Sequence, residues 1–212
     1  MNNELAFTPL TGRIGFYPVV HDADWVERLL GWGARTVQLR IKAADHSPED
    51  IAANVRAAIA AGSKVKGAQV FINDHWKLAL DHGAFGVHLG QEDLDTANLD
   101  ALRNGGVRLG LSTHTPAELA RAHAVQPSYL AIGPIYPTTL KKMPYEPVGL
   151  ERLRDWALRA GPYPVVAIGG ISLDLIAGVM DCGVDGVAVV SAVTRAADPQ
   201  EATLHGLRLA GG

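Results

Sequence analysis

Residues 163–192 have the sequence YPVVAIGGISLDLIAGVMDCGVDGVAVVSA, and this stretch decides the fold. Two short apolar runs, 163–168 and 185–190, flank a segment of helical length, which predicts a strand, a helix and a second strand. Both runs are almost continuously apolar, as is typical of parallel strands covered on both faces. Strand–helix–strand units with short connections build parallel α/β sheets.

The same alternation extends over the preceding chain. We predict strands at 14–20, 36–42, 69–73, 85–89, 107–111, 128–132, 163–168 and 185–190. We predict helices at 22–33, from Ser47-Pro48 onward, at 75–82, 96–104, from Thr115-Pro116 onward, and at 149–160, 172–182 and 198–209. Eight such units predict an α/β protein that closes into a single (β/α)8 TIM barrel, with an open doubly wound sheet as the alternative. We assign residues 13–212 to the barrel and expect residues 1–12 to be a loosely ordered lead-in.

Composition narrows the class of protein. The 212 residues are 48% hydrophobic and carry a net charge of -3, so no bulk electrostatic attraction to nucleic acid is expected. No apolar stretch has the length of a membrane span, and the first residues lack the features of a secretory signal. The single cysteine, Cys182, excludes an internal disulfide. We therefore expect a cytoplasmic protein that acts on small molecules without binding nucleic acid or membranes, and we leave a homo-oligomer open.

Polar side chains occupy every second position of the predicted second strand. Gln38, Arg40 and Lys42 point to one face, and the apolar residues between them suit the face that meets the helices. The polar set is therefore expected inside the barrel near its C-terminal end. Burying a cation without a partner is costly, so this position predicts a bound anion. The alternative is a cation whose long side chain reaches the barrel rim.

Acidic residues follow the next two strands. Asp74 comes directly after strand 69–73, and Asp93 lies in the loop after strand 85–89. Neighbouring strands lie roughly 5 Å apart, so both carboxylates can reach one cation. Mg2+ prefers a few carboxylates together with phosphate oxygens and water. The sequence therefore predicts a magnesium site beside Arg40 and Lys42 that accepts a polyphosphate, although each acid alone is more often a helix cap.

A second anion site is predicted after strands seven and eight. Gly169-Gly170 ends one strand, and Val190-Ser191 ends the other. In TIM barrels these two loops often bind phosphate through backbone N–H groups, which glycines allow the anion to approach. The alternative is that Gly169-Gly170 only forms a tight turn.

Further candidates lie on the same rim. The loop 133–142 after strand six contains hydroxyl side chains and two lysines, and it could close over a substrate. Ser112 adds a hydroxyl at the end of strand five. His88 and His114 are weaker candidates, because a lone histidine is more often structural.

Seven segments at successive strand ends resemble one family. They are Gln38-Leu39-Arg40-x-Lys42, Ile72-Asn73-Asp74, GVHLGQEDL (86–94), Ser112-Thr113-His114, GPIYPT (133–138), AIGGI (167–171) and Val190-Ser191. Together and in this order they resemble the thiamine phosphate synthase family over essentially the whole barrel.

The resemblance implies a transferase of thiamine biosynthesis. Such an enzyme condenses 4-amino-5-hydroxymethyl-2-methylpyrimidine diphosphate with a thiazole monophosphate, and it releases thiamine monophosphate and diphosphate. By position, the resemblance implies that the pyrimidine diphosphate is bound by Gln38, Arg40, Lys42, Asn73, Ser112 and Lys141, of which Arg40, Lys42 and Lys141 are the catalytic cations. It implies that Mg2+ is held by Asp74 and Asp93. It also implies that the thiazole phosphate is bound by Thr138, Thr139, Gly170, Val190 and Ser191.

Two departures from the family pattern concern single positions. The family often has threonine two positions after the equivalent of Thr138, where this chain has Leu140 and a displaced Thr139. The family is often acidic at residue 41, which is Ile41 here and is expected to face away from the site.

Two other functions are open to a barrel of this kind. A thiazole tautomerase of the same superfamily would keep the phosphate site at Gly170 and Ser191 but would not need a diphosphate site. A non-catalytic barrel that senses a phosphorylated ligand could lose the metal-binding acids. Retention of the cations and of Asp74 and Asp93 favours the synthase.

Overall fold

A closed parallel barrel forms the centre of the molecule. The computed structural model describes residues 6–138 and 145–211. Over this part of the chain, eight parallel strands pair in sequence order, and the last strand pairs with the first. The strands are β1 Gly15–Val20, β2 Thr36–Leu39, β3 Gln69–Asn73, β4 Gly86–Leu89, β5 Arg108–Thr113, β6 Tyr129–Ile132, β7 Val165–Ile168 and β8 Gly186–Val189. The predicted TIM barrel is confirmed, and the open doubly wound sheet is excluded.

Helices connect the strands on the outside. They are α1 Ala23–Gly31, α2 Pro48–Ser63, α3 Trp76–Asp81, α4 Leu99–Asn104, α5 Pro116–Val125, α6 Gly149–Arg159, α7 Ile176–Met180, α8 Ser191–Thr194 and α9 Pro199–Leu209. The side chains of Asp22, Ser47 and Thr115 cap α1, α2 and α5 by accepting a backbone N–H three residues later. Within 6–138 and 145–211, no helix combines the length and apolar character needed to cross a membrane.

Some predicted boundaries differ from the structure. The helix predicted at 172–182 is a 3-10 turn, Leu173–Leu175, followed by the short α7. The four-residue α8 was not predicted, because a single helical turn is too short to show a periodic apolar pattern.

The sheet separates two apolar cores. The outer core lies between strands and helices and contains Ile41, which faces away from the barrel interior as strand parity predicts. The inner core fills the barrel with Ile14, Tyr17, Val19, Phe71, Tyr129, Ala131, Val166 and Ala188. Three aromatic rings dominate it, and Phe71 and Tyr129 meet edge to face with centroids 5.1 Å apart.

Two strand glycines make room for these rings. A Cβ atom at Gly86 would overlap the Phe71 ring, and one at Gly110 would overlap the Tyr129 ring. Each glycine therefore serves packing inside the barrel, which explains why a residue of low β-propensity occupies a central strand.

The described part of the lead-in is packed against the barrel. Phe7 is 3% exposed, and its backbone N–H donates to Gln126 O at 2.9 Å. The Ser128 hydroxyl donates to Thr8 O at 2.6 Å, and Leu10 packs against the inner core. From residue 6 onward, buried Phe7 and half-buried Leu10 hold the segment against the barrel through apolar contacts.

Candidate active site

The end of β2 carries the first group of predicted site residues. Gln38 is buried inside the barrel, whereas Arg40 is half-buried and Lys42 is exposed. β2 ends at Leu39, and Arg40 adds one further hydrogen bond, from its N–H to Val20 O at 2.7 Å. The prediction that this strand reaches residue 42 and buries both cations was therefore wrong. Both cations lie at the C-terminal ends of the strands, here called the barrel mouth, in agreement with the alternative of cations that reach the rim, and a dissolved anion can reach them there.

The end of β3 carries an aspartate in an unusual conformation. Asn73 is buried, and Asp74 follows it with a φ of 61°, which non-glycine residues seldom adopt. The neighbouring Asn73 side chain acts to lower the pKa of the Asp74 carboxyl group. Helix α3 begins only at Trp76 and has no side-chain cap. Capping therefore does not account for Asp74, and strained backbone of this kind concentrates at functional sites.

The end of β4 brings a second carboxylate close to the first. Asp93 begins a 3-10 turn, and its Oδ2 accepts a hydrogen bond from Gly90 N at 2.9 Å. Desolvation in the barrel mouth raises the pKa of Asp74 above its ordinary value, and the Asp93 carboxylate raises this pKa further, while the positive charge of Arg40 opposes both. The two acids and one cation are therefore close enough to influence one another electrostatically.

A cavity joins the ends of β2 and β3. Its volume is about 330 Å3, and it is lined by Arg40, Ile41, Lys42, Ala43, Ala44, Asn73, Asp74 and His75. His75 Nε2 lies 3.0 Å from Ile41 O and so links the two loops. His75 was not among the predicted site residues, because its partner is a backbone atom distant in sequence.

The acidic pair limits how a metal could be bound. Within the residues that the structure describes, no group of three or more His, Cys, Asp or Glu side chains is arranged to hold a metal ion. Mg2+ is commonly bound by one or two carboxylates, with phosphate oxygens and water completing its shell. Asp74 and Asp93 therefore suit an ion bound together with a polyphosphate rather than one enclosed by protein ligands.

The loops after β6 and β7 are closely packed. Gly169 and Gly170 have positive φ values of 101° and 70°, and Tyr136 N donates to Gly169 O at 3.0 Å. A Cβ atom at Gly170 would lie 2.6 Å from Pro137 O. Glycine is therefore required at position 170 both by conformation and by space. Thr138 is the next residue after Pro137 in the chain.

The end of β8 lies next to these loops. β7 and β8 pair along the barrel, with Ile168 opposite Ala188. Val190 follows β8, and Ser191 is the first residue of α8, where backbone N–H groups have no acceptor within the helix. Gly170 and Ser191 thus lie at neighbouring strand ends. The remaining predicted residues of this region, Thr139 and Lys141, lie with Leu140 outside the described residues.

Five polar side chains form a continuous chain of hydrogen bonds inside the barrel, here called the inner hydrogen-bond chain. Gln38 Nε2 donates to Tyr17 Oη at 3.1 Å, and Tyr17 Oη lies 2.9 Å from Tyr129 Oη. Tyr129 Oη lies 2.7 Å from His88 Nδ1, and His88 Nε2 lies 2.8 Å from Ser112 Oγ. The chain therefore connects two predicted substrate-binding residues on opposite sides of the barrel.

The two tyrosines of this chain were not predicted. Both are buried, and burial raises the pKa of each hydroxyl well above its ordinary value, so both keep their protons near neutral pH. Strand parity could have placed Tyr129 inside the barrel, but its partners come from other strands and leave no local signal.

His114 has structural contacts. Its Nδ1 lies 2.8 Å from Glu118 Oε2, and its ring stacks on Tyr145 with centroids 4.6 Å apart and planes 7° apart. Glu118 also accepts from His114 N at 2.6 Å, which secures the start of α5. These contacts account for His114 without a ligand.

Comparisons with known sequences agree over nearly the whole chain. A family profile described as thiamine monophosphate synthase matches residues 16–193. A relative from Pectobacterium atrosepticum named thiamine-phosphate synthase is 52% identical over 210 residues, which cover 99% of this chain and 97% of the relative. One of the same name from Serratia proteamaculans is 53% identical over 197 residues, which cover 93% of this chain and 92% of the relative.

Comparisons with solved structures agree on the barrel. A thiamine phosphate pyrophosphorylase from Pyrococcus furiosus matches with a TM-score of 0.81 at 29% identity, covering 93% of this chain and 96% of that chain. A 3-hexulose-6-phosphate synthase matches with a TM-score of 0.62 at 17% identity, covering 92% of this chain and 98% of that chain. The second likeness concerns the fold alone.

Proposed function

The chain belongs to the thiamine monophosphate synthase family, and from that premise we propose that it joins a pyrimidine diphosphate to a thiazole monophosphate, with release of diphosphate. The observation that best supports this proposal is a cavity lined by Arg40, Lys42, Asn73 and Asp74, with Asp93 nearby. A cavity with two cations and two acids suits a substrate that is itself a metal-bound polyanion.

The cations act on the leaving group. Arg40 and Lys42 at the end of β2, with Lys141 from the β6 loop, would bind the diphosphate and stabilise the negative charge that it gains. Arg40 and Lys42 retain access to solvent, so a substrate can exchange without prior unfolding of the site. Asn73 and Ser112 would contact the pyrimidine part of the same substrate.

The acidic pair fits a magnesium ion. Asp74 and Asp93 interact electrostatically, and the pKa of Asp74 is raised, so a divalent cation would relieve an existing repulsion. When bound, Mg2+ supplies Lewis-acid charge at the diphosphate oxygens. The hydrogen bond from Gly90 N to Asp93 Oδ2 supports this proposal, because it fixes the orientation of that carboxylate.

The second substrate would bind across the mouth. Gly170, Val190 and Ser191 present backbone groups at the ends of β7 and β8, and Thr138 follows Pro137, whose carbonyl oxygen lies next to Gly170. These groups, with Thr139, would hold the phosphate of the thiazole. Its ring nitrogen would then face the pyrimidine methylene carbon.

The reaction requires one bond to break and one to form. The C–O bond to the diphosphate breaks with its electron pair on the leaving oxygen, and the thiazole nitrogen forms the new C–N bond. The electron-rich aminopyrimidine can share the positive charge at its methylene carbon, which favours a dissociative path. No protein nucleophile is needed, so the residues bind, orient and stabilise charge.

The partners and compartment follow from this function. The enzyme would take small-molecule substrates without nucleic acid or membrane, and it would work in the cytoplasm, in keeping with its single cysteine.

A direct assay tests the proposal. The purified protein is mixed with both substrates and Mg2+, and thiamine monophosphate and diphosphate are measured. We expect both products in equal amounts and their loss in excess EDTA, with recovery on added Mg2+. Conversion of the thiazole alone would indicate a tautomerase, binding without turnover would indicate a sensing barrel, and full activity in EDTA would refute the metal role.

A further inference from the structure

At one end of the inner hydrogen-bond chain, the Gln38 side chain has its amide nitrogen, rather than its amide oxygen, toward Tyr17. Gln38 meets Tyr17 Oη with its amide nitrogen Nε2, which can only donate. Tyr17 Oη therefore accepts from Gln38. Its single proton is left for its other partner, Tyr129 Oη at 2.9 Å.

The same assignment of donors and acceptors continues along the inner hydrogen-bond chain. Tyr129 Oη accepts from Tyr17, so its own proton goes to His88 Nδ1 at 2.7 Å. A ring nitrogen that accepts carries no proton, so His88 has its proton on Nε2. That nitrogen donates to Ser112 Oγ at 2.8 Å.

A doubly protonated His88 does not fit this arrangement. Its Nδ1–H would donate to Tyr129 Oη, and the tyrosine protons would then have to point toward Gln38 Nε2. Two donors would face each other in a buried space, which is costly. Both tyrosines keep their protons because burial raises their pKa, so the chain does not relax by ionising.

We propose that the inner hydrogen-bond chain runs in one direction from Gln38 to Ser112, holds His88 as the neutral tautomer protonated on Nε2, and presents the Ser112 proton to the pyrimidine diphosphate. His88 and the two tyrosines are then positioning residues for Ser112. The proposal rests on the proposed function only for the identity of the acceptor, because the tautomer belongs to the substrate-free protein.

The tautomer is measured first, on the unmodified protein. The chain is labelled with 15N-histidine, and long-range 1H–15N spectra are recorded at pH 7.5 without substrate, with His88 assigned by its loss in His88→Gln. We expect the proton on Nε2 alone. A proton on Nδ1, or on both nitrogens, would overturn the proposal whatever the enzyme's substrate proves to be.

The positioning role is tested by Tyr129→Phe, which keeps the ring and removes the hydroxyl. We expect the His88 signals to shift toward a mixture of tautomers and kcat/KM for the pyrimidine diphosphate to fall about 10-fold. The thiazole phosphate KM should be unchanged. Tyr163→Phe, whose ring meets His123 edge to face, is the matched control and should change neither readout.

A double variant separates positioning from general destabilisation. If the chain acts through Ser112, Tyr129→Phe should cost no further activity in a Ser112→Ala background. Independent, multiplying losses in the double variant would refute the coupling. If Tyr129→Phe does not fold, the tautomer of the unmodified protein still decides the direction of the chain.

Discussion

Gly170→Ala places a methyl group between the two loops that we assign to the thiazole phosphate. Gly170 has a φ of 70°, and its added Cβ atom would lie 2.6 Å from Pro137 O and 2.7 Å from Tyr136 O. Both neighbours are backbone atoms, so no side-chain rotation can relieve the contact. The β6 and β7 loops must move apart instead.

The size of the effect follows from these distances. Ordinary contact begins at 3.4 Å, so one loop must shift by about 0.8 Å. A misplacement of about 1 Å near a reacting centre can lower the rate about 100-fold. The left-handed backbone alone costs an alanine about 1–2 kcal/mol of stability. We therefore expect kcat/KM for the thiazole phosphate to fall between about 30- and 100-fold, with a modest loss of thermal stability.

The matched control is Gly183→Ala. Gly183 has a φ of 82°, and apart from its own chain neighbours no described residue has an atom within 4 Å of the position that an added Cβ atom would take, so this variant carries the backbone strain without the contact. Steady-state kinetics with the thiazole phosphate varied, and thermal melts of both variants, separate the two effects. Similar melting temperatures with a loss of activity only in Gly170→Ala would support the argument. Equal kcat/KM in the two variants would refute it.

Three further substitutions test other parts of the molecule. Asp93→Asn keeps an oxygen for the backbone hydrogen bond, so we expect an unchanged melting temperature. Because the negative charge is lost, the Mg2+ concentration required for activity should rise at least about 10-fold. An unaltered Mg2+ titration would exclude Asp93 as a ligand. Lys42→Ala removes an exposed cation, so turnover should fall at least about 10-fold at constant stability, and wild-type turnover would remove Lys42 from the site. Gly110→Ala overlaps the Tyr129 ring and should lower the melting temperature by about 5 °C or more, whereas an unchanged melt would contradict the packing argument.

The period of the apolar runs was enough to predict the barrel and which residues of a strand face the barrel interior. Gln38 faces the interior and Ile41 the outer core, as their alternation requires. The end of β2 was not predictable in the same way. Arg40 and Lys42 continue the alternation in a loop, where the pattern no longer reports burial, and the inferred burial of both cations failed for that reason.

Contacts across the barrel were beyond the sequence for a different reason. Tyr17 and Tyr129 are separated by 112 positions and meet only because the sheet closes. Each tyrosine lies in an almost uniformly apolar run, so the local sequence did not indicate a hydrogen-bonding role for its hydroxyl group. Asp74 was predicted as a site residue from its position after β3, but its left-handed backbone was not predicted, because that conformation follows from contacts at the end of the strand.

The packed lead-in has a practical consequence for anyone shortening or tagging this chain. Leu10 covers the inner core at the end of the barrel opposite the mouth, while Phe7 packs into the outer core between strands and helices. Fusions placed ahead of residue 6 leave that cover intact. A truncation that begins at residue 12 would expose that end of the inner core to water, far from every proposed substrate contact. It would therefore impair the enzyme through loss of apolar burial rather than through loss of a binding group.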